Sequence, residues 1–339
     1  MIIKETLYAL GDVTIVPEVT SNIRHRSECN VFYSNPDGHK YLPIFTAPMD
    51  MVVNKDNFNI FINNHIIPIL PRTESLYDRL EFAMNNKWAA FGLDEFDKWF
   101  CGNHTPDVKY ENKKLRVLID IANGHIKSLQ NAIKKAKNLA KENNYQIEIM
   151  AGNIANPETY VQLAKAGADH VRCSIGSGNV CITSSNTSTH MPMASLLDNC
   201  KRAKNREKLK CSIIADGGIN SYSNAIKALA LGADYVMMGT TLAKSFESAG
   251  EFIRANIAER DFINGFDVSE LNRLRYTSDE YLEVTKKEYI SKFKPLTKVI
   301  YGMSTKRAQM KIALAQGKKK EGMQLASPFF FSQSEYSLY

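Results

Sequence analysis

IEIMAGNIANPETYVQLAKAGADHVRCSI, residues Ile147–Ile175, contains two apolar runs separated by an amphipathic segment. Ile147–Met150 and His170–Ile175 are nearly continuous in apolar residues, the pattern of strands buried on both faces. Pro157–Ala166 between them is amphipathic and predicts a helix. Strand, helix and strand in this order form the βαβ unit of a parallel sheet. The alternation continues in both directions. Apolar runs at Leu42–Thr46, Ile66–Leu70, Trp88–Phe91 and Arg116–Ile121 precede it, and Ser212–Ala215 and Tyr235–Met238 follow. Helical segments such as Ser128–Asn143 and Ser223–Leu231 lie between runs. Eight such alternations predict an α/β fold, a (β/α)₈ TIM barrel, with residues 1–339 as one catalytic domain.

In such a barrel the chemistry sits where the strands end. Here those ends read Ala47-Pro48-Met49-Asp50, Pro71-Arg72, Asp120 to Asn123, Gly152-Asn153, Gly176 to Cys181, Asp216-Gly217-Gly218 and Gly239-Thr240. They carry more glycines and functional side chains than core packing requires. Residues 251–298 break the pattern; they are charged and are expected to form a helical insertion, followed by a short active-site flap at 301–322.

Composition narrows the class. A hydrophobic share of 44% and a charged share of 23% are ordinary for a globular protein. No run approaches the ~18 apolar residues of a membrane helix, and the first residues lack a secretory pattern, so a cytoplasmic protein without a membrane partner is expected. The net charge of +7 is modest, and the lysine-dense spots at Lys134–Lys141, Lys201–Lys210 and Lys318–Lys320 read as solvated helix faces. No nucleic-acid partner is expected, although a positive field attracts phosphorylated ligands. The six cysteines show neither CxxC nor zinc-ligand spacing and are expected to be reduced thiols, mostly buried.

One cysteine stands apart. In VRCSIGSGNVCIT, Val171 to Thr183, a strand runs into a loop with Gly176 and Gly178 and then presents Cys181 and Thr183. Glycines allow close backbone approach to an ion, and nearby N–H dipoles favour the thiolate, the nucleophilic form. Read in isolation, the same segment also suits a packed cysteine beside a tight turn. ADGGI, Ala215–Ile219, places a carboxylate suited to ribose hydroxyls ahead of two glycines suited to a phosphate. YVMMGT, Tyr235–Thr240, brings a further strand-end glycine to the usual phosphate position of barrels.

Taken with PIFTAPMD (Pro43–Asp50), AGNI (Ala151–Ile154), AGAD (Ala166–Asp169), ALGADYVMMG (Ala230–Gly239) and YGMS (Tyr301–Ser304), these motifs resemble the inosine monophosphate dehydrogenase and guanosine monophosphate reductase superfamily. They occur in that family's order from roughly Leu10 to Gly322. The resemblance implies Cys181 as the nucleophile, with Thr183 and Glu321 as the proton relay. It implies substrate contacts from Asp216, Gly217, Gly218, Gly239, Thr240, Met303, Ser304 and Gly322. For the cofactor, NADPH, it implies Arg26, Arg72, Asp120, Ile121, Ala122, Ile175 and Gly176. It further implies a potassium ion on the backbone carbonyls of Gly176, Gly178 and Cys181, and a homotetramer.

The reductase branch is the nearer one. Between Ile66–Leu70 and Trp88–Phe91 there is room for about one helix, whereas the dehydrogenases usually carry regulatory modules there. LIDIANGH, Leu118–His125, resembles the reductase version, and the short spacing from Tyr301 to Glu321 resembles the reductase flap. The expected reaction is NADPH-dependent deamination of GMP or a related guanine nucleotide to IMP. The alternatives are a dehydrogenase-like enzyme acting on IMP or another purine nucleotide, and a non-catalytic nucleotide-binding barrel. Departures from the family pattern are Ser177-Gly178-Asn179 in the cysteine loop, Ser184 to Thr189 after it, and Lys318 in place of an arginine. The family's last helix is expected to be replaced in its packing by the insertion at 251–298.

Overall fold

A computed structural model describes residues 6–34, 39–102, 114–175 and 189–250, together with strands at 252–254, 262–263, 266–267, 296–300 and 330–333 and a helix and turn at 306–316. Eight parallel strands form one sheet: β1 (Ile44–Thr46), β2 (Ile69–Leu70), β3 (Trp88–Phe91), β4 (Lys114–Asp120), β5 (Gln146–Ile154), β6 (His170–Cys173), β7 (Ser212–Asp216) and β8 (Tyr235–Met238). Their spatial order is β1-β8-β7-β6-β5-β4-β3-β2. The ring closes where Phe45 bridges Ile67 in parallel, with the Thr46 N–H donating to Ile67 O at 2.9 Å and the Ile69 N–H to Thr46 Oγ1 at 2.9 Å. The fold is the TIM barrel expected from the sequence.

Helices lie between the strands: α1 (Phe58–Asn63), α2 (Leu76–Met84), α3 (Leu93–Phe96), α4 (Lys127–Glu142), α5 (Pro157–Ala166), α6 (Met193–Arg206), α7 (Tyr222–Ala230) and α8 (Thr240–Ala243). Local chemistry sets their ends. Asn156 Oδ1 accepts the Glu158 N–H at 2.8 Å and Pro157 opens α5, which stops at Gly167 with φ +110°. Ser75 and Ser221 cap α2 and α7 in the same way. The lysine-rich α4 keeps Leu129, Ala132, Ile133, Ala136 and Ala140 buried while Lys134 and Lys135 face solvent.

The lower end of the barrel is filled by aromatic and charged side chains together. Trp88, His170 and Tyr235 open β3, β6 and β8, and their rings meet edge to face with Phe45 at 5.1–6.1 Å. Glu148 accepts from His170 Nε2 at 2.9 Å and from Arg116 Nε at 3.1 Å. Burial alone would raise the Glu148 carboxyl, but His170, Arg116 and Lys114 together hold it far below the usual carboxylate range. A short hairpin, Tyr33–Ser34 against Lys40–Tyr41, reaches this end through Tyr33, whose ring meets Tyr235 at 5.5 Å.

The related GAD segments before β6 and β8 turn out to have the same structural job. Asp169 Oδ2 accepts the Ile149 N–H of β5 and Lys137 Nζ of α4, each at 2.7 Å. Asp234 Oδ2 accepts the Ile213 N–H of β7 and Lys204 Nζ of α6, also at 2.7 Å. Each aspartate fastens the start of its strand to the preceding strand and helix.

Of the stretch at 251–298, the described residues are strands. Phe252–Arg254 pairs antiparallel with Leu296–Ile300, which pairs antiparallel with Phe330–Gln333, and Phe262–Ile263 pairs with Phe266–Asp267. The rest of the expected helical insertion lies outside the described residues. Helix α9 (Lys306–Ala315) is tied to the turn that follows β1 by Lys311 Nζ on Asp50 Oδ2 at 2.6 Å. Among the described residues no helix is long and apolar enough to cross a membrane, and five cysteines are free thiols, with Cys29 exposed and Cys101, Cys173, Cys200 and Cys211 buried.

Candidate active site

The ends of β4, β5, β6 and β7 carry a connected polar group. Asp120 is the last residue of β4, Asn153 lies near the end of β5, Arg172 on β6 and Asp216 at the end of β7. Strand register puts Asp120 opposite Gly152, and Gly152 opposite Arg172. Gly152 adopts φ +146°, and a Cβ there would lie 2.6 Å from Arg172 O and 2.8 Å from Arg172 Cβ. Glycine is therefore required for β5 and β6 to approach each other at this level.

Past that glycine, the Arg172 guanidinium spans two carboxylates. Nη1 donates to Asp120 Oδ1 at 2.6 Å, while Nη2 and Nε donate to Asp216 Oδ2 at 2.8 and 3.1 Å. Asn153 Nδ2 donates to the same Asp216 oxygen at 2.6 Å. Burial alone would lower the Arg172 pKa, but Asp216 and then Asp120 reverse it and raise it above the ordinary arginine value. The cation is permanent and both carboxylates face it. Both are partly exposed at the rim, so each can also accept a hydroxyl from a ligand.

Arg72, just after β2, joins the Asp120 side. Its Nη1 donates to Asp120 O at 3.2 Å, and its Nε lies 4.0 Å from Glu95 Oε2, buried without a hydrogen-bond partner. Glu95 is held by the fully buried Arg79 through two bonds of 3.0 and 2.8 Å and by the Gly92 N–H at 2.9 Å. A side chain at Gly92 would start 2.6 Å from Arg72 Nη2, so this glycine clears the space Arg72 occupies.

On the other side are the turns after β7 and β8. Gly217 and Gly218 have φ of +99° and +72°, which only glycine adopts freely, and the turn leads into Ser221 and α7. Gly239 precedes Thr240 and α8; a Cβ there would lie 3.0 Å from Met49 Sδ and 3.2 Å from Ala47 Cβ. Thr241 Oγ1 donates to Ile219 O at 3.0 Å, which places the two glycine turns side by side.

Several expected site residues are thus neighbours: Asp216, Gly217 and Gly218 on one side, Gly239 and Thr240 beside them, and Asp120 with Arg72 across Arg172. Ile121 and Ala122 follow Asp120, where Asn153 N donates to Ile121 O at 2.9 Å and Ala122 is exposed. Ile175 is buried just past the end of β6, and His190 Nδ1 approaches its carbonyl at 3.0 Å. Cys181, Thr183, Gly176, Gly178, Met303, Ser304, Glu321 and Gly322 lie outside the described residues. Arg26 stands in an exposed turn of the N-terminal arm, and no hydrogen bond or ion pair among the described residues joins it to Arg72 or Asp120.

Arg172 and Asn153 were not singled out from the sequence. The available signal was the arginine inside the apolar run His170–Ile175, because a charge in a buried strand requires a partner. His125 is a further participant near this rim. The Ala155 N–H donates to its Nε2 at 3.1 Å, so Nδ1 carries the proton and donates to Thr159 Oγ1 at 2.9 Å; burial lowers its pKa. Among the described residues no cluster of His, Cys, Asp and Glu could hold a metal ion.

Residues 110–324 match the model of the IMP dehydrogenase / GMP reductase domain. GMP reductase 2 of Bos taurus is 30% identical over 259 residues, covering 72% of this chain and 71% of that protein. GMP reductase of Staphylococcus carnosus is 30% identical over 73% of this chain and 74% of its own length. Inosine-5'-monophosphate dehydrogenase of Chlorobaculum parvum is 42% identical over 137 residues, which span 40% of this chain and 26% of that protein.

Proposed function

The chain belongs to the IMP dehydrogenase and GMP reductase family, and from that premise we propose that it reduces GMP, or a closely related guanine nucleotide, to IMP and ammonia with NADPH. The observation that carries the reading is the rim itself: the Asp216 carboxylate beside two glycine turns, linked through Arg172 to Asp120. Two features favour the reductase over the dehydrogenase reaction. Only α2 separates β2 from β3, where the dehydrogenases usually carry regulatory modules. The reductase relatives align over nearly three quarters of the chain, the dehydrogenases of Chlorobaculum parvum and Helicobacter pylori over 40% and 60% of it.

In this reading Asp216 accepts the ribose hydroxyls, and the turns at Gly217-Gly218 and Gly239-Thr240 hold the phosphate with backbone N–H groups. The Cys181 thiolate attacks C2 of the purine, forming a C–S bond, and the C2–N bond breaks as ammonia leaves. Thr183 and Glu321 deliver the proton that ammonia needs, since an amide ion is too basic to depart. NADPH, when bound, supplies the hydride to C2. Breaking the C–S bond then frees Cys181 and yields IMP; the covalent stage divides one difficult substitution into two easier ones. Asp120 and Arg72 fit the dinucleotide, an acceptor for a ribose hydroxyl beside a fixed cation. Met303, Ser304 and Gly322 frame the base. A potassium ion on Gly176, Gly178 and Cys181, a homotetramer and a cytoplasmic location belong to the same reading.

The test is NADPH absorbance with GMP or dGMP and potassium, beside Cys181→Ala. Loss of NADPH with ammonia and IMP formed, abolished in the variant, is the expected result. Silence with GMP and dGMP, with turnover of IMP and NAD instead, would move the chain to the dehydrogenase reaction. Silence in both directions with nucleotide still bound would make it a binding protein.

A further inference from the structure

Arg172 is the one described residue whose side chain bonds both carboxylates of the rim, and the reading above gives one carboxylate to each ligand. Its fork is planar and fixed: one arm on Asp120 Oδ1 and two donors on Asp216 Oδ2. The side chain is almost wholly buried, and the backbone behind it is pressed against Gly152. Asn153 closes the set from β5, and its own N–H is held by Ile121 O, next to Asp120. Because both carboxylates are held by one planar guanidinium, a shift of that group alters the bonds to both.

We propose that Arg172 is a positioning residue that joins the nucleotide subsite to the dinucleotide subsite, so that filling one raises affinity for the other. The inference rests on the assignment of Asp216 to the nucleotide and Asp120 to the dinucleotide. A ligand hydroxyl on either carboxylate immobilises the shared fork. The second ligand then meets a carboxylate already ordered, and less conformational freedom remains to be lost. Lysine keeps the charge but offers a point donor on a flexible stem, which cannot reproduce a fork across two carboxylates.

The experiment is calorimetric titration of IMP into the full chain, with and without NADPH at a large excess over its own dissociation constant in each variant. IMP and NADPH form a pair that cannot turn over, because the reverse reaction needs the oxidised cofactor and ammonia. In the parent protein NADPH should tighten IMP binding by about five-fold or more, the lower end of ordinary coupling between sites. In Arg172→Lys the factor, read as the ratio of IMP affinity with NADPH to that without, should fall to about one. Asp120→Asn, which weakens a single arm of the fork, should lower the factor as well, even if the lysine variant fails to fold. A parent protein that binds both ligands without coupling, or variants that keep the parent's factor, would overturn the positioning role and leave the reductase reading standing. Failure of the parent protein to bind IMP at all would overturn both.

Discussion

Arg79→Met tests whether the buried ion pair behind the rim holds the β3 end in place. Arg79 is wholly buried and donates from Nε to Glu74 O at 3.1 Å, from Nη1 to Ala90 O at 3.0 Å, and from Nη1 and Nη2 to the two Glu95 oxygens. Its guanidinium also lies 5.1 Å from the centre of the Phe91 ring. Methionine fills much of the volume but leaves Glu95 with the Gly92 N–H and a distant Arg72. Breaking a buried pair by removing one partner costs about 3–5 kcal/mol, because the remaining charge stays buried. At about 2.1 cal/mol/K of unfolding entropy per residue, that corresponds to a melting point lower by about 4–7 °C for a cooperative chain of this size. Arg79→Met/Glu95→Gln should recover a large part of the loss, since the buried Glu95 charge that Arg79 leaves behind is then gone. The pH dependence has a definite sign. Burial pushes the Glu95 carboxyl up, but Arg79, the Gly92 N–H and Arg72 bring it below its ordinary value. A depressed carboxyl contributes stability above its unfolded pKa, about 4.3, and loses it as pH falls through the folded value. That acid-side loss should shrink in Arg79→Met. Urea unfolding of the parent and the two variants between pH 3 and 7 measures both effects. A single variant within about 1 kcal/mol of the parent, or a double variant no better than the single, would refute the reasoning.

Two further outcomes follow from the same structure. Gly152→Ala forces a side chain onto a backbone at φ +146° and against Arg172 O at 2.6 Å, so it should cost at least about 2 kcal/mol and weaken nucleotide binding; urea unfolding and IMP titration would show both. Glu148→Gln removes the carboxylate that His170 and Arg116 share, and should cost about 3–5 kcal/mol at pH 7. Because the Glu148 carboxyl is depressed, its contribution is present above about pH 4.3 and fades as pH falls below that, so the gap between variant and parent should narrow in acid; unfolding midpoints at pH 7 and pH 3 check it.

The sequence by itself determined the barrel. Eight apolar runs could be counted because strands buried on both faces have no polar side to interrupt them, and the structure places a strand within or overlapping each. The glycine turns were legible for a related reason: Asp216-Gly217-Gly218 announces a positive-φ turn that other residues resist, and Gly239 marks a strand end packed closely on Met49 and Ala47. Residue type and order also singled out Asp120 and Arg72 through the family resemblance. The partnerships were not legible. Arg172 is 52 residues from Asp120 and 44 from Asp216, and only the side-by-side pairing of β4 to β7 brings the three within hydrogen-bond distance. The same holds for Arg79 on Glu95 and for His170 between Glu148 and the ring of aromatics at the lower end. Periodicity reports which residues face the interior; which buried charge meets which carboxylate depends on strand register and on the clearance left by Gly152 and Gly92, and those arise only when the strands are laid side by side.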